Sequence, residues 1–243
     1  MDTFTNTPES ELAEASPTKK HKFLLNRNFA LLWTGQAISE LGSHITDQGL
    51  PLVANLVLGA TSVQMGLLVA LGMFPVLLIG LFAGVWVDRL RRRPILISAD
   101  LARAVLLLSI PVAALLGWLR IEQLYIVAAL VGVLTIFFDI ANQAFLPQLV
   151  IDRQIVEANS KLSASTSLAE VGGPTLAGVL VQALTAPIAI TFDALSFLIS
   201  ALCVGLIRMC EPRPALVAER QHIWRDIRAG LHVIVANPVL RAI

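Results

Sequence analysis

The chain has 243 residues, 56% of them apolar and only 14% charged, with a formal net charge of +1 and a mean hydropathy of +0.75. An ordinary soluble domain runs at about 25% charged, so a water-soluble enzyme is excluded as a first reading. The near-neutral balance likewise supplies no basic field for a nucleic acid.

Residues 1–28 are polar, rich in Ser, Thr, Glu and Pro, and end in the basic run Lys19, Lys20, His21, Lys22 and then Arg27. They read as a disordered tail. The apolar stretch that follows is too long for a signal peptide, is interrupted by Glu40 and Asp47, and lacks a small-residue cleavage site. Residues 29–207 then hold six apolar runs, at roughly 29–58, 62–86, 95–117, 124–147, 162–184 and 187–207. Each is long enough for a membrane helix of about 20 residues. Helices are expected throughout, because an open sheet edge cannot satisfy its backbone in hydrocarbon. The turns at Gly59-Ala60-Thr61-Ser62 and Thr185-Ala186-Pro187 are very short, which predicts that spans 1 and 2, and spans 5 and 6, are antiparallel neighbours.

With the N-terminus inside, every lysine and arginine falls on the cytoplasmic side except Arg120, which is outside, and Arg103, which lies in a span. The positive-inside rule therefore predicts a multi-pass protein of the cytoplasmic membrane with a cytoplasmic N-terminus. Residues 208–237 form a cytoplasmic linker. Within it Ile223, Ile227, Leu231 and Ile234 recur at helical spacing, with Arg225, Asp226 and Arg228 off that stripe, as in an amphipathic helix lying on the inner membrane surface. An ordinary helix of a small cytoplasmic domain would show the same pattern. Residues 238–243 look like the start of a further span. Cys203 and Cys210 are too few for a disulfide framework and are placed as small hydrophobes.

The spans carry Glu40, Asp47, Asp100, Arg103, Asp139, Glu170 and Asp193 at membrane depth. A charged group at mid-bilayer costs about 2.5 to 3.5 kcal/mol on the insertion scale. A bundle holding seven must pair them or turn them into a cavity, which a simple scaffold would not need. Glu40, His44 and Asp47 sit at i, i+4 and i+7, within a sector of roughly 60° on one helix face. Neighbouring carboxylates in a partly dry cavity can exchange protons near neutral pH, and a histidine can relay them. Glu170 joins this set from span 5. The alternative for each is a hydrogen bond to a neighbouring helix that merely orients the bundle.

A second constellation, Gly84-Val85-Trp86-Val87-Asp88-Arg89-Leu90-Arg91-Arg92-Arg93, closes span 2. Asp88 at a helix C-terminus is opposed by the macrodipole, so an arginine cluster or another helix N-terminus must compensate it. Either partner is lost if the helices slide apart, which makes Gly84, Asp88, Arg89 and Arg92 a candidate conformational latch. Read alone, the arginines serve equally well as topology signals. Asp100 and Arg103, at i and i+3, can neutralise one another or extend the latch, and Asp139 belongs to the same network. A third group is Gly173, Pro174 and Gly178 in span 5, where proline bends the helix and small residues let backbones approach.

Gly84-x-x-x-Asp88-Arg89-x-x-Arg92-Arg93 resembles the signature loop between helices 2 and 3 of the major facilitator superfamily, and Gly173-Pro174-x-x-Ala177-Gly178 resembles the end of its antiporter motif. Trp33-x-Gly35-Gln36-x-Ile38-Ser39, Asp100-Leu101-x-Arg103-Ala104, Phe138-Asp139 with Gln143-Ala144-Phe145, and Asp193-Ala194-Leu195-Ser196-Phe197 are more narrowly similar to the bacterial enterobactin-exporter and macrolide-efflux subgroup. The resemblance covers about residues 26–243 and departs from the family pattern at Arg91, Ala177 and Asn142. It implies an all-α membrane protein: six transmembrane helices making one half, a 3+3 inverted repeat, of a twelve-helix fold, with substrate held between halves. It also implies proton-coupled efflux of an amphipathic small molecule of the drug or siderophore class, with membrane lipid, the proton and the C-terminal six-helix half as partners. Uptake or sodium-coupled transport on the same fold, and an inert half-transporter or membrane assembly subunit, remain open. There is no His-Glu-x-x-His pair, nucleophile motif or aspartate-rich phosphate motif, so an enzyme, a metal or a cofactor is not expected.

Overall fold

The computed structural model describes residues 27–87, 90–150 and 154–209, which form six α-helices in chain order. These are α1 (Arg27–Leu56), α2 (Ser62–Val87), α3 (Arg92–Leu115), α4 (Ile121–Leu149), α5 (Ile155–Ala183) and α6 (Ala186–Gly205). The expected tail, the amphipathic linker helix and the start of a further span lie outside the described residues, apart from their edges at Arg27, Asn28, Arg208 and Met209. The largest boundary difference is at α5, which begins at Ile155 rather than near residue 162. Its first turns carry Glu157, Asn159, Ser160 and Lys161, a helical but polar stretch that an apolar-run criterion leaves out.

Helices α3, α4 and α6 are long and apolar enough to cross a membrane by length and composition. The ionisable groups of α1 and the serines and charges of α5 lower the hydropathy of those two helices. Prolines 51, 75, 111, 147 and 174 all lie inside helices. Proline costs about 3 kcal/mol in an exposed helix interior but is accommodated where neighbouring helices satisfy the freed carbonyl. Gly59 and Gly117, at φ +61° and +69°, turn the chain out of α1 and α3. Just beyond them the amides of Ala60 and Trp118 reach back to the carbonyls of Ala54 and Ala113, at 2.9 Å in each case.

Apart from α3 on α4, packing does not follow chain adjacency. Helix α1 lies mainly on α6 and α5, α3 on α6 and α4, and α2 on α4, whereas the short turns leave α1 with α2, and α5 with α6, only in light contact. A glycine stripe on α1 accounts for the first of these pairings. A Cβ at Gly35 would lie 3.0 Å from Cys203 Cβ, one at Gly49 would lie 3.1 Å from Ile190 Cγ1, and one at Gly42 would overlap Ser196 and Asp193. The partners descend along α6 as the glycines ascend α1, so the two helices are antiparallel and nearly in backbone contact. Gly132 of α4 likewise seats on α2, where a Cβ would lie 2.5 Å from the Gly72 carbonyl oxygen.

Two apolar clusters occupy the ends of the bundle. One gathers Phe29, Leu32, Leu96, Phe145, Val204 and Ile207, and the other Val53, Leu107, Ile110, Leu124, Ile190 and Phe197. Between them lies a buried polar layer made by Ser39, Thr46, Asp100, Arg103, Asp193, Ser196 and Ser200.

Candidate functional site

Arg103 sits at the centre of the polar layer. Its Nη2 pairs with Asp100 Oδ1 one turn earlier on α3, and both side chains are almost fully buried. Nη1 donates to Thr135 Oγ1 of α4 at 3.3 Å. The guanidinium lies 4.4 Å from the ring centroid of Phe138 and 4.1 Å from that of Phe197, so it is held between two aromatic faces contributed by α4 and α6. A buried charge is tolerable only when paired and hydrogen-bonded, and here one arginine ties three helices together.

Asp193 on α6 is 1% exposed. Its Oδ2 accepts a hydrogen bond from Thr46 Oγ1 of α1 at 2.5 Å, and its Oδ1 lies 3.0 Å from Ser196 Oγ. Helix α1 is further tied to α4 by Asn142 Nδ2 donating to Gln36 Oε1 at 3.1 Å. It is tied to α5 by Trp33 Nε1 donating to Ser165 Oγ at 2.8 Å.

The remaining carboxylates lie elsewhere. Glu40 and His44 are half-buried, while Asp47 on α1, Asp139 on α4 and Glu170 on α5 are exposed. Glu40 is within electrostatic reach of His44, Asp47, Glu170 and Arg103, and Asp139 is within reach of Arg103 and Glu40. His44 Nδ1 is 3.9 Å from Asp47 Oδ2. These groups therefore share one face of the bundle, built from α1, α4 and α5. The outward residues of α3 and α6 are instead apolar, among them Leu101, Val105, Val112, Phe192, Leu195 and Leu202. Seven ionisable groups are thus resolved into a buried ion pair, a buried hydrogen-bonded acid and four carboxylates on a more open face that also exposes Leu168 and Val171 of α5.

Gly173 is buried where α5 crosses α1, and a Cβ there would lie 2.5 Å from His44 Cβ. Pro174 is exposed, and added Cβ atoms at Gly178 and Gly84 meet nothing within 4 Å among the described residues. Asp88 and Arg89, the core of the expected latch, lie outside the described residues. From the same cluster, Arg92 begins α3, and Arg93 donates to the Val204 carbonyl at 3.2 Å and to the Gly205 carbonyl at 2.5 Å, binding the C-terminus of α6. Sequence reasoning gave no site role to Thr46, Asp193 and Ser196. The available signals were the seven-residue spacing of Gly35, Gly42 and Gly49 and the i, i+3 spacing of Asp193 and Ser196.

Residues 20–243 match the family model described as transmembrane secretion effector, within the major facilitator superfamily. The chain belongs to this family. Macrolide efflux protein A of Streptococcus pyogenes is 25% identical over 215 residues, covering 88% of this chain and 53% of the relative. The multidrug efflux pump Tap of Mycolicibacterium fortuitum is 28% identical over 181 residues, covering 71% and 44%. An uncharacterized MFS-type transporter of Bacillus subtilis is 25% identical over 228 residues, covering 91% and 52%. The chain spans about half the length of these major facilitator relatives. Family membership and the apolar helices together indicate a membrane protein of the major facilitator superfamily.

Proposed function

We propose that the chain forms the N-terminal six-helix half of a proton-coupled exporter of amphipathic small molecules, macrolide-like drugs among them, in the bacterial cytoplasmic membrane. The observation that carries this reading is the division of the bundle surface. Carboxylates and a histidine collect on the α1, α4 and α5 face, and the α3 and α6 surface is apolar. Lipid suits the second surface. The first suits a water-filled vestibule shared with a second six-helix half, since ionisable residues in membrane helices mark ion and substrate pathways.

In this reading all six helices span the membrane as two inverted three-helix repeats. The cytoplasmic end carries the arginine cluster near Arg92 and Arg93. Protons entering the vestibule bind at Glu40 or Asp47, with His44 and Glu170 tuning their occupancy. Occupancy changes the relative stability of the inward-open and outward-open states, which is how a bound ion drives alternating access. The Asp100–Arg103 pair, neutral overall, holds the Arg103 guanidinium behind the face, within reach of Glu40 and Asp139. The loop containing Asp88 acts on the same equilibrium from the cytoplasmic end.

Everted vesicles carrying the full-length protein test this. Accumulation of a fluorescent macrolide-like substrate should stop when the pH gradient is collapsed and should be indifferent to sodium. Accumulation that follows a sodium gradient and ignores pH would remove the proton from the account.

A further inference from the structure

Helix α1 has two opposed stripes. Glu40, His44 and Asp47 lie on one side, and Gly35, Gly42, Thr46 and Gly49 lie on roughly the opposite side, counted at 100° per residue. The second stripe is the one seated on α6. Glycines permit close approach but have no side chain with which to fix how far one helix rotates or slides against the other. Among the described residues a buried directional contact in this interface is Thr46 to Asp193, one turn from the closest approach at Gly42.

We propose that Asp193 is a positioning residue: through Thr46 it sets the rotation of α1 on α6 and so aims the Glu40, His44 and Asp47 face away from the packed interface. Three features converge on this role. Asp193 is buried and its ends are divided between two hydroxyls, Thr46 across the interface and Ser196 on its own helix. The Ser196 hydroxyl donates to the Asp193 backbone carbonyl at 2.7 Å, which fixes the serine beside Asp193 Oδ1. Gly42 leaves the space in which Asp193 and Ser196 sit, because a Cβ at that position would overlap both. The charged groups that reach Asp193 are Asp47 of α1 and Arg103 of α3, and Arg103 is already engaged by Asp100.

The geometry distinguishes an aspartate needed for its shape from one needed for its charge. Asparagine can place its amide oxygen toward Thr46 and its nitrogen toward Ser196, whose single hydroxyl proton already has a carbonyl acceptor. Leucine can do neither. Likewise Thr46→Ser keeps the donor and Thr46→Val removes it.

Cys203 of α6, beside Gly35, reports on the interface independently of transport. In full-length protein with every other cysteine replaced by serine, Asp193→Leu and Thr46→Val should each raise the rate of Cys203 alkylation by N-ethylmaleimide about tenfold. That is the scale of one lost buried hydrogen bond. Asp193→Asn and Thr46→Ser should stay near the parent rate, and the Thr46→Val/Asp193→Leu double variant should be no faster than either single one. Efflux by Thr46→Val should show a shifted pH profile that Thr46→Ser restores. Parent-like alkylation in both Thr46→Val and Asp193→Leu would overturn the lock, and altered alkylation with an unchanged pH profile would overturn its aiming role. This inference rests on the coupling role of the α1 face only for the pH profile. If the parent protein shows no pH response, the proposed function fails while the alkylation series still decides the lock.

Discussion

Gly173 of α5 rests on the Cβ of His44 of α1, with no room between the two helices for a side chain at the crossing. Gly173→Ala should therefore push α5 off α1 and lower stability by about 1 to 3 kcal/mol, the usual cost of overpacking. Adding His44→Ala should not rescue it, because the closest overlapping atom, at 2.5 Å, is the Cβ that alanine keeps. Thermal unfolding of the purified full-length protein in detergent reads both outcomes.

Arg103 is predicted to be irreplaceable by lysine. Lysine keeps the charge but cannot pair with Asp100, reach Thr135 and lie flat between Phe138 and Phe197 at once. Breaking a buried pair by removing one partner costs about 3 to 5 kcal/mol, so Arg103→Met and Asp100→Leu should each abolish accumulation of folded protein. Together they should restore part of it. Fluorescence-detected size-exclusion chromatography of tagged protein distinguishes these cases.

Gly42→Ala should destabilise the α1–α6 interface, since a Cβ there overlaps Ser196 and Asp193. Gly66→Ala in α2, where a Cβ meets nothing among the described residues, is the matched control. It should be neutral or gain up to about 1 kcal/mol from helix propensity. Melting temperatures of the two variants, measured side by side, check the contrast.

Much of this architecture was legible in the sequence, for identifiable reasons. Long apolar runs bounded by Gly59, Arg91, Gly117 and Thr185 locate the helices because membrane-type helices announce themselves by length and composition. The Asp100–Arg103 pair is legible because i, i+3 spacing on a helix leaves little choice of partner. The neighbours of α1 were not. Short turns suggested α2, but they constrain only the helix ends, whereas the glycine stripe governs the whole length of the α6 contact. The lock at Thr46 and Asp193 escaped for a related reason: it joins residues far apart in the chain, and neither threonine nor serine in an apolar run signals an interhelical bond until the facing helix is placed. Burial likewise divides carboxylates that look alike in sequence, closing Asp193 off while leaving Asp47 and Glu170 open.

Substituting the α1 face should separate folding from function. Asp47 is 69% exposed at its side chain and bears little of the packing, so Asp47→Asn should insert and fold as the parent does. It should nonetheless lose pH-gradient-driven efflux, falling to the rate of cells without the transporter in a dye-efflux assay. Glu40→Gln, half-buried beside His44, should lose coupling and also some stability.

Proton release from the purified full-length protein on addition of substrate, followed with a pH indicator in weakly buffered detergent solution, bears most directly on the coupling mechanism. Substrate should expel protons from the parent, and the signal should vanish in the Glu40→Gln/Asp47→Asn double variant while substrate still binds. Substrate binding that releases no protons from the parent, or an undiminished release from that double variant, would contradict the account.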